Sequence, residues 1–354
     1  MRRLALLIGI AVVLGVAAWL GWRWWMAPPL QPAATLATEA ARVPEAVDGA
    51  VVVGEPAKAI RWLFRHPQAG ALVGVASGEA RRRADTLRGG TLALARDARG
   101  PLRLWWRGRE LAVAATVGGG TRDAMREVAA MSSLAFAAAP AGDDAGEVAL
   151  ATAAELLRGS SALPGAVPDG RWSAVAFLGG RWWWVRAERD RLEAVTGVPP
   201  DVPVVEARSV VTSTDVHALL AEVSPSLDHH APVRLVVDEG GDWALALPTT
   251  KASRTAVRLL AAAGITTAPA GDGTAFASAS ALLPELAGPV SANEGAVRGG
   301  DLAALARRVA EAEVVLVVTG ADADDLRRAA DLMDGVRAAR WRVTPAGGRV
   351  VLEW

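Results

Sequence analysis

The chain has 354 residues, 52% of them hydrophobic, with 38 basic and 38 acidic side chains and no cysteine. That is enough chain for about two domains with a sizeable core. The missing cysteine excludes disulfides, thiolate metal sites and cysteine nucleophiles, and the balanced charge argues against a nucleic-acid binder, which needs a basic footprint to neutralise phosphates.

Leu4–Trp22 is a run of 19 residues without a charge, and about 20 apolar residues span a hydrocarbon core as a helix. Arg2 and Arg3 precede the run, Arg23 follows it, and Trp19, Trp22, Trp24 and Trp25 cluster at its far end. The positive-inside rule and the aromatic belt predict one membrane anchor with its N-terminus in the cytoplasm and the rest outside. A cleaved signal peptide would have a shorter apolar core and a small-residue cleavage site. The expected location is the bacterial cytoplasmic (inner) membrane. Arg2, Arg3 and Arg23 all precede the first acid, Glu39, so the remainder carries 35 basic and 38 acidic residues and is mildly acidic. Residues 1–26 thus read as cytoplasmic tip and anchor, and 27–45, rich in Pro, Ala and Thr, as a spacer.

The region beyond repeats itself. Pro101–Trp106 matches Pro232–Val237, each a strand leading through a turn into a second strand, Leu111–Val117 and Trp243–Leu247. Helices are expected from near Thr121 and Thr250, and the string Ala-Pro-Ala-Gly-Asp follows at 139–143 and again at 268–272, both pairs 129 residues apart. A second unit, strand then Asp then amphipathic helix, aligns Ser209–Leu219 with Gly295–Leu305, with Asp215 and Asp301 as helix-capping carboxylates. Ala50–Leu63 is a degenerate copy with Pro56 in the first helical turn. The chain closes with a strand Val314–Val318, a helix Ala323–Met333 and a hairpin of Arg340–Thr344 with Arg349–Glu353. Period-two alternation in the strands and mixed hairpins and helices predict an α+β fold: two similar lobes of mostly antiparallel sheet with packed helices, at 46–204 and 205–354.

The hairpin–helix repetition behind one anchor, with Val51–Pro67 as strand, helix and His-Pro, resembles bacterial single-pass, membrane-anchored extracytoplasmic proteins of unknown function. The resemblance implies no activity and no site residues.

Candidate sites are few. His217, His229 and His230 fall close to Asp215, and imidazole with carboxylate binds zinc-like metals. The aligned repeat has Ala303 at the place of His217, so surface histidines are the simpler reading. Gly118-Gly119-Gly120-Thr121 stands between a strand and a helix, as a phosphate cradle would, but lacks the lysine of a P-loop. Trp182-Trp183-Trp184 and Trp105-Trp106 must place rings on both faces of their strands. The faces that are not core need a cover, from the chain's own helices or second lobe as the simpler reading, or from a protein interface or a stacked sugar, for which Trp105 and Trp183 are the candidates. Arg81-Arg82-Arg83 with Arg88 could meet anionic lipid, though a solvated helix face is the simpler reading. Asp322, Asp324 and Asp325 read as helix capping, without the glycine and bidentate glutamate of a calcium loop. No serine-hydrolase elbow, kinase signature or Ser-x-x-Lys occurs. The expected function is a non-enzymatic envelope binding or assembly component with a protein partner and no cofactor. The alternatives are an anchored hydrolase or metal-dependent enzyme and a glycan-binding module.

Overall fold

The computed structural model describes residues 29–65, 90–108, 110–142, 144–158, 167–214, 233–248, 258, 260–270, 273–287, 290, 293–312 and 322–354. The chain is α+β, mostly antiparallel sheet with fewer helices, and divides into unit 1, up to Arg189, and unit 2, from Asp190. Among the described residues no helix is long and apolar enough to cross a membrane, and the predicted anchor at 4–22 lies outside them.

Unit 1 opens with β1 (Gln31–Pro32) and α1 (Ala33–Ala40), then β2 (Gly49–Val53) and α2 (Pro56–Arg65). Pro56 is the first residue of its helix, where its missing N–H costs nothing. The hairpin β3 (Leu102–Arg107) and β4 (Glu110–Gly118) leads into α3 (Gly119–Met131). A second hairpin, β5 (Ala135–Gly142) and β6 (Ala145–Ala151), ends in a 3-10 turn, Ala154–Leu157. β7 (Arg171–Trp172) pairs with β1, and β8 (Ala174–Leu178) with β9 (Arg181–Ala187) closes the unit. The strands lie in the order β5-β6-β4-β3-β2-β8-β9.

One face of this sheet is core. Leu102, Leu111, Val113, Ala115, Val117, Val148 and Leu150 pack under Met125 and Ala129 of α3 and Leu94 of helical residues 90–97. Within the predicted spacer, residues 29–45 are described and hold a short strand and a helix. Ala33–Ala40 is helical, and Leu36 is fully buried over β2, against the bare Cα of Gly54. Burial of one large side chain in a preformed notch offsets a composition that, read alone, resembles a linker.

Unit 2 contains β10 (Arg191–Gly197), β11 (Ser209–Ser213), the hairpin β12 (Val233–Val237) and β13 (Trp243–Pro248), and the hairpin β14 (Thr266–Ala270) and β15 (Gly273–Ala277). A 3-10 turn Ser280–Leu286 follows, then β16 (Asn293–Arg298), α4 (Gly299–Glu311), α5 (Ala323–Met333), β17 (Ala338–Val343) and β18 (Gly347–Glu353). Their order is β14-β15-β13-β12-β11-β16-β17-β18-β10, every neighbouring pair antiparallel. β10, which the repeat pattern assigns to the first lobe, runs beside β18. Seven strands of each unit, taken in chain order, therefore occupy the same places. The repeated Ala-Pro-Ala-Gly string falls on the outermost strands, β5 and β14, where proline's missing donor is tolerated.

Asp301 does not cap α4. It sits in the first turn, 3% exposed, and accepts hydrogen bonds from Ser209 Oγ at 2.5 Å and Arg298 Nε at 2.9 Å. Asp322 does cap α5, accepting the Asp324 N–H at 2.8 Å. Where α4 starts, Gly299 touches the end of α5: a Cβ there would lie 2.0 Å from the Val336 carbonyl oxygen and 2.2 Å from that of Met333. Backbone cannot yield as a side-chain tip can. Gly299→Ala is expected to destabilise unit 2 by about 1–3 kcal/mol, the usual range for overpacking, with the loss read as a lower midpoint in urea titration and the unit 1 transition unmoved.

Candidate functional site

Register places the same strand positions of the two units on the same face of each sheet. In unit 1, Arg103 of β3 stands opposite Val52 and Ala114. In unit 2, Arg234 of β12 stands opposite Thr212 and Ala246. The faces that carry these two arginines, away from the α3 core in unit 1, differ in chemistry.

In unit 1 this face is closed. Arg103 is only 4% exposed, and its guanidinium pairs with Glu147 of β6 and, at 3.6 Å, with Glu39 of α1. Arg42 completes the network at 3.3 Å from both carboxylates. Beside it the sheet carries aromatic rings. Trp105 is 4% exposed and donates its indole N–H to the Leu156 carbonyl at 2.9 Å. Trp184 meets Trp172 edge-on at 6.2 Å, and the Arg186 guanidinium stacks on Trp172 at 4.5 Å. Trp182 leans on Phe177 at 5.3 Å.

In unit 2 the same face is apolar at one end, where Val236, Ala244, Ala246 and Ala275 pack with Leu282 and Leu286 of the 3-10 turn, and charged at the other. Thr212, Glu294, Arg340, Arg342, Arg349, Glu353, Glu193 and Arg191 share the face of Arg234 by register. Arg342 pairs with Glu294 at 2.5 Å, Arg349 with Glu193 at 2.6 Å, Arg191 with Glu193 at 3.4 Å, and Arg340 with Glu353. Arg337, just before β17, adds a second bond to Glu353 at 3.0 Å. Burial pushes the Glu353 carboxyl up, but the Arg337 hydrogen bond and the charges of Arg340 and Arg337 outweigh it and hold the group below its ordinary value. Arg234 has no acid beside it among the described residues, and its Nε, like those of Arg103, Arg191 and Arg340, is shut off from solvent without an acceptor. Gly273 occupies the register place that Glu147 holds in unit 1, and residues 198–208, which lead into β11, are not helical. Six arginines thus meet three glutamates on a protein of zero formal net charge.

The residues singled out in the sequence are placed as follows. Trp105 is enclosed by its own unit, while Trp183 is half-buried on the opposite face of the sheet from Trp182 and Trp184. Asp215, His217, His229 and His230 lie outside the described residues, as do Arg81–Arg83 and Arg88. Among the described residues no group of three or more His, Asp or Glu is arranged to hold a metal ion. At the glycine run, the Gly119 N–H bonds the Asp144 carbonyl at 3.1 Å and the Thr121 hydroxyl donates to Asp97 at 3.0 Å, so these groups already serve the turn. The hydrogen bond from Arg96 holds the Asp97 carboxyl below its ordinary value. A recess of about 150 Å³ lined by Pro44, Arg107, Glu155 and Arg158 is smaller than the ~300–1,000 Å³ typical of ligand pockets.

The charged face of unit 2 escaped the sequence reading because its members are spread from residue 191 to residue 353. The alternation Arg340, Arg342 and Arg349 is the signal that could have found it. Comparison with protein-family models, with curated proteins and with solved structures finds no match to this chain.

Proposed function

We propose that this chain is a single-pass, membrane-anchored extracytoplasmic protein that binds another protein of the cell envelope through an internally duplicated α+β scaffold. The anchor reading rests on the uncharged run Leu4–Trp22 with its flanking arginines and tryptophans. Duplication is supported by the repeated strings 129 residues apart and by seven strands in the same spatial order. The observation that carries the binding reading is the contrast between like faces. One is closed by aromatic packing and a four-residue ion network, and the other joins an apolar patch under Leu282 and Leu286 to a row of half-buried arginine–glutamate pairs. Half-buried Trp183 offers a second contact point, since tryptophan is enriched where interfaces bury energy.

The test is in-cell crosslinking of the tagged full-length protein followed by mass spectrometry. The expected result is one envelope protein recovered at near-equal stoichiometry and weakened by Trp183→Ala. Recovery of no specific partner from intact membranes would overturn the binding reading.

A further inference from the structure

We infer that the edge of unit 1 formed by β1 and β7 lies on the membrane surface, with Arg171 and Arg186 set against the phosphate headgroups of the anchoring bilayer. The inference rests on the anchor reading above and adds the face of the protein that the bilayer meets.

The tether is short because the fold begins early. Composition makes 27–45 a spacer, but Pro29 is already buried, β1 pairs Gln31 with Trp172 and Pro32 with Arg171, and α1 follows at once. The Arg171 guanidinium donates to the Leu30 carbonyl at 2.7 Å, and the Ala33 N–H bonds the Gly170 carbonyl at 3.1 Å. Leu36 at the Gly54 notch and Glu39 on Arg103 hold the following helix to the sheet. With Trp24 and Trp25 in the aromatic belt, four residue steps separate Trp25 from Pro29. Fully extended, they reach about 14 Å, against a headgroup layer of about 5–8 Å. The seven strands of the sheet span about 29 Å. A tether of half that width keeps the entry edge at the headgroups and the rest of the sheet behind it.

This edge carries the chemistry that headgroups need. Arg171 is exposed, and Arg186 reaches across from β9, donating its Nε–H to the Arg171 carbonyl at 3.2 Å while its guanidinium stacks on Trp172 at 4.5 Å. Stacking uses the flat face of the guanidinium and leaves its Nη donors for an anion. Arginine takes phosphate through two parallel N–H bonds, so a phosphodiester suits both side chains. Asp169 is the one acid in residues 167–173. Val167, 46% exposed, adds an apolar contact beside it.

The experiment uses the full-length protein reconstituted into bilayers. The chain has no cysteine, so Val167→Cys and Met131→Cys each carry a single spin label, and the probe is a lipid whose headgroup chelates nickel. Met131 is 79% exposed and ends α3, which leads into β5 at the far side of the sheet from β9. Nickel should relax the label at 167 severalfold more than the label at 131. A second form carries about twelve Gly and Ser residues between Pro28 and Pro29, ~19 Å in r.m.s. length. On phosphatidylcholine its two labels should relax alike. On phosphatidylglycerol at low ionic strength, 167 should stay the nearer, because the arginines hold the edge without help from the tether. Arg171→Glu in this form should lower the ratio of surface-held to free domain about fivefold or more, the factor for one basic side chain at an anionic surface. Equal relaxation at 167 and 131 in the unextended protein overturns the inference. So does an extended form that is indifferent to phosphatidylglycerol or to Arg171→Glu. If alkaline carbonate leaves such a protein in the bilayer, this inference alone falls; if it strips the protein off, the anchor reading falls as well.

Discussion

Trp105→Ala is expected to lower the stability of unit 1 by about 3–5 kcal/mol, the range for removing a large aromatic from a packed core. The ring is 4% exposed, and its N–H satisfies the Leu156 carbonyl in the 3-10 turn that follows β6. Truncation leaves a cavity under that turn and a carbonyl without its donor, and the second effect alone costs about 1 kcal/mol or more. Because the chain forms two units, unfolding should be followed with probes in each, and only the unit 1 transition should move. Chemical denaturation monitored at both units checks this. The same change at half-buried Trp183 should cost clearly less, so the ratio of the two effects separates core from surface ring. An unmoved midpoint for Trp105→Ala would return that ring to the list of interface candidates.

Arg103→Ala should cost a similar amount, about 3–5 kcal/mol, for a different reason. Removing one partner of a buried ion pair leaves the other partner's charge uncompensated. Here two carboxylates, Glu39 and Glu147, would be left with Arg42 alone, and Arg42 is the more exposed of the two arginines. The loss should loosen α1 first, because Glu39 ties that helix to the sheet. Hydrogen exchange of the amides in residues 33–40 would show it as faster exchange than in β4. The matched change Arg234→Ala in unit 2 removes no described ion pair and should cost clearly less than Arg103→Ala. Equal losses at the two positions would mean that Arg234 has a structural partner equivalent to Glu147.

Much of the scaffold was legible in the sequence because its signals are local. Leu102, Leu104 and Trp106 alternate with Arg103 and Trp105, and the hairpin partners follow within a few residues. The helix Ala323–Met333 and the closing hairpin announce themselves by periodicity and by the turn between Thr344 and Gly347. What stayed hidden depends on residues far apart. α1 reads as a linker because Leu36 is the only large apolar residue among its eight, and only the notch at Gly54 makes that one residue sufficient. β10 reads as the end of the first lobe because the residues after it, 198–208, look like a boundary, whereas its hydrogen bonds go to the last strand of the chain. The alternation around Trp105 shows that its strand has two faces without showing what covers either. The cover comes from a turn some 50 residues later. The charged face of unit 2 needs the register of six strands before its arginines can be assembled at all.

Pro140 and Pro269 lie on the outermost strands of their units. An outer strand with a full row of N–H groups is a template onto which another chain can zip. One proline removes a donor and breaks the row near its end, leaving too short a stretch for a neighbour to extend. In both units, then, a proline interrupts the outermost strand, as edge strands that resist pairing with another chain commonly show.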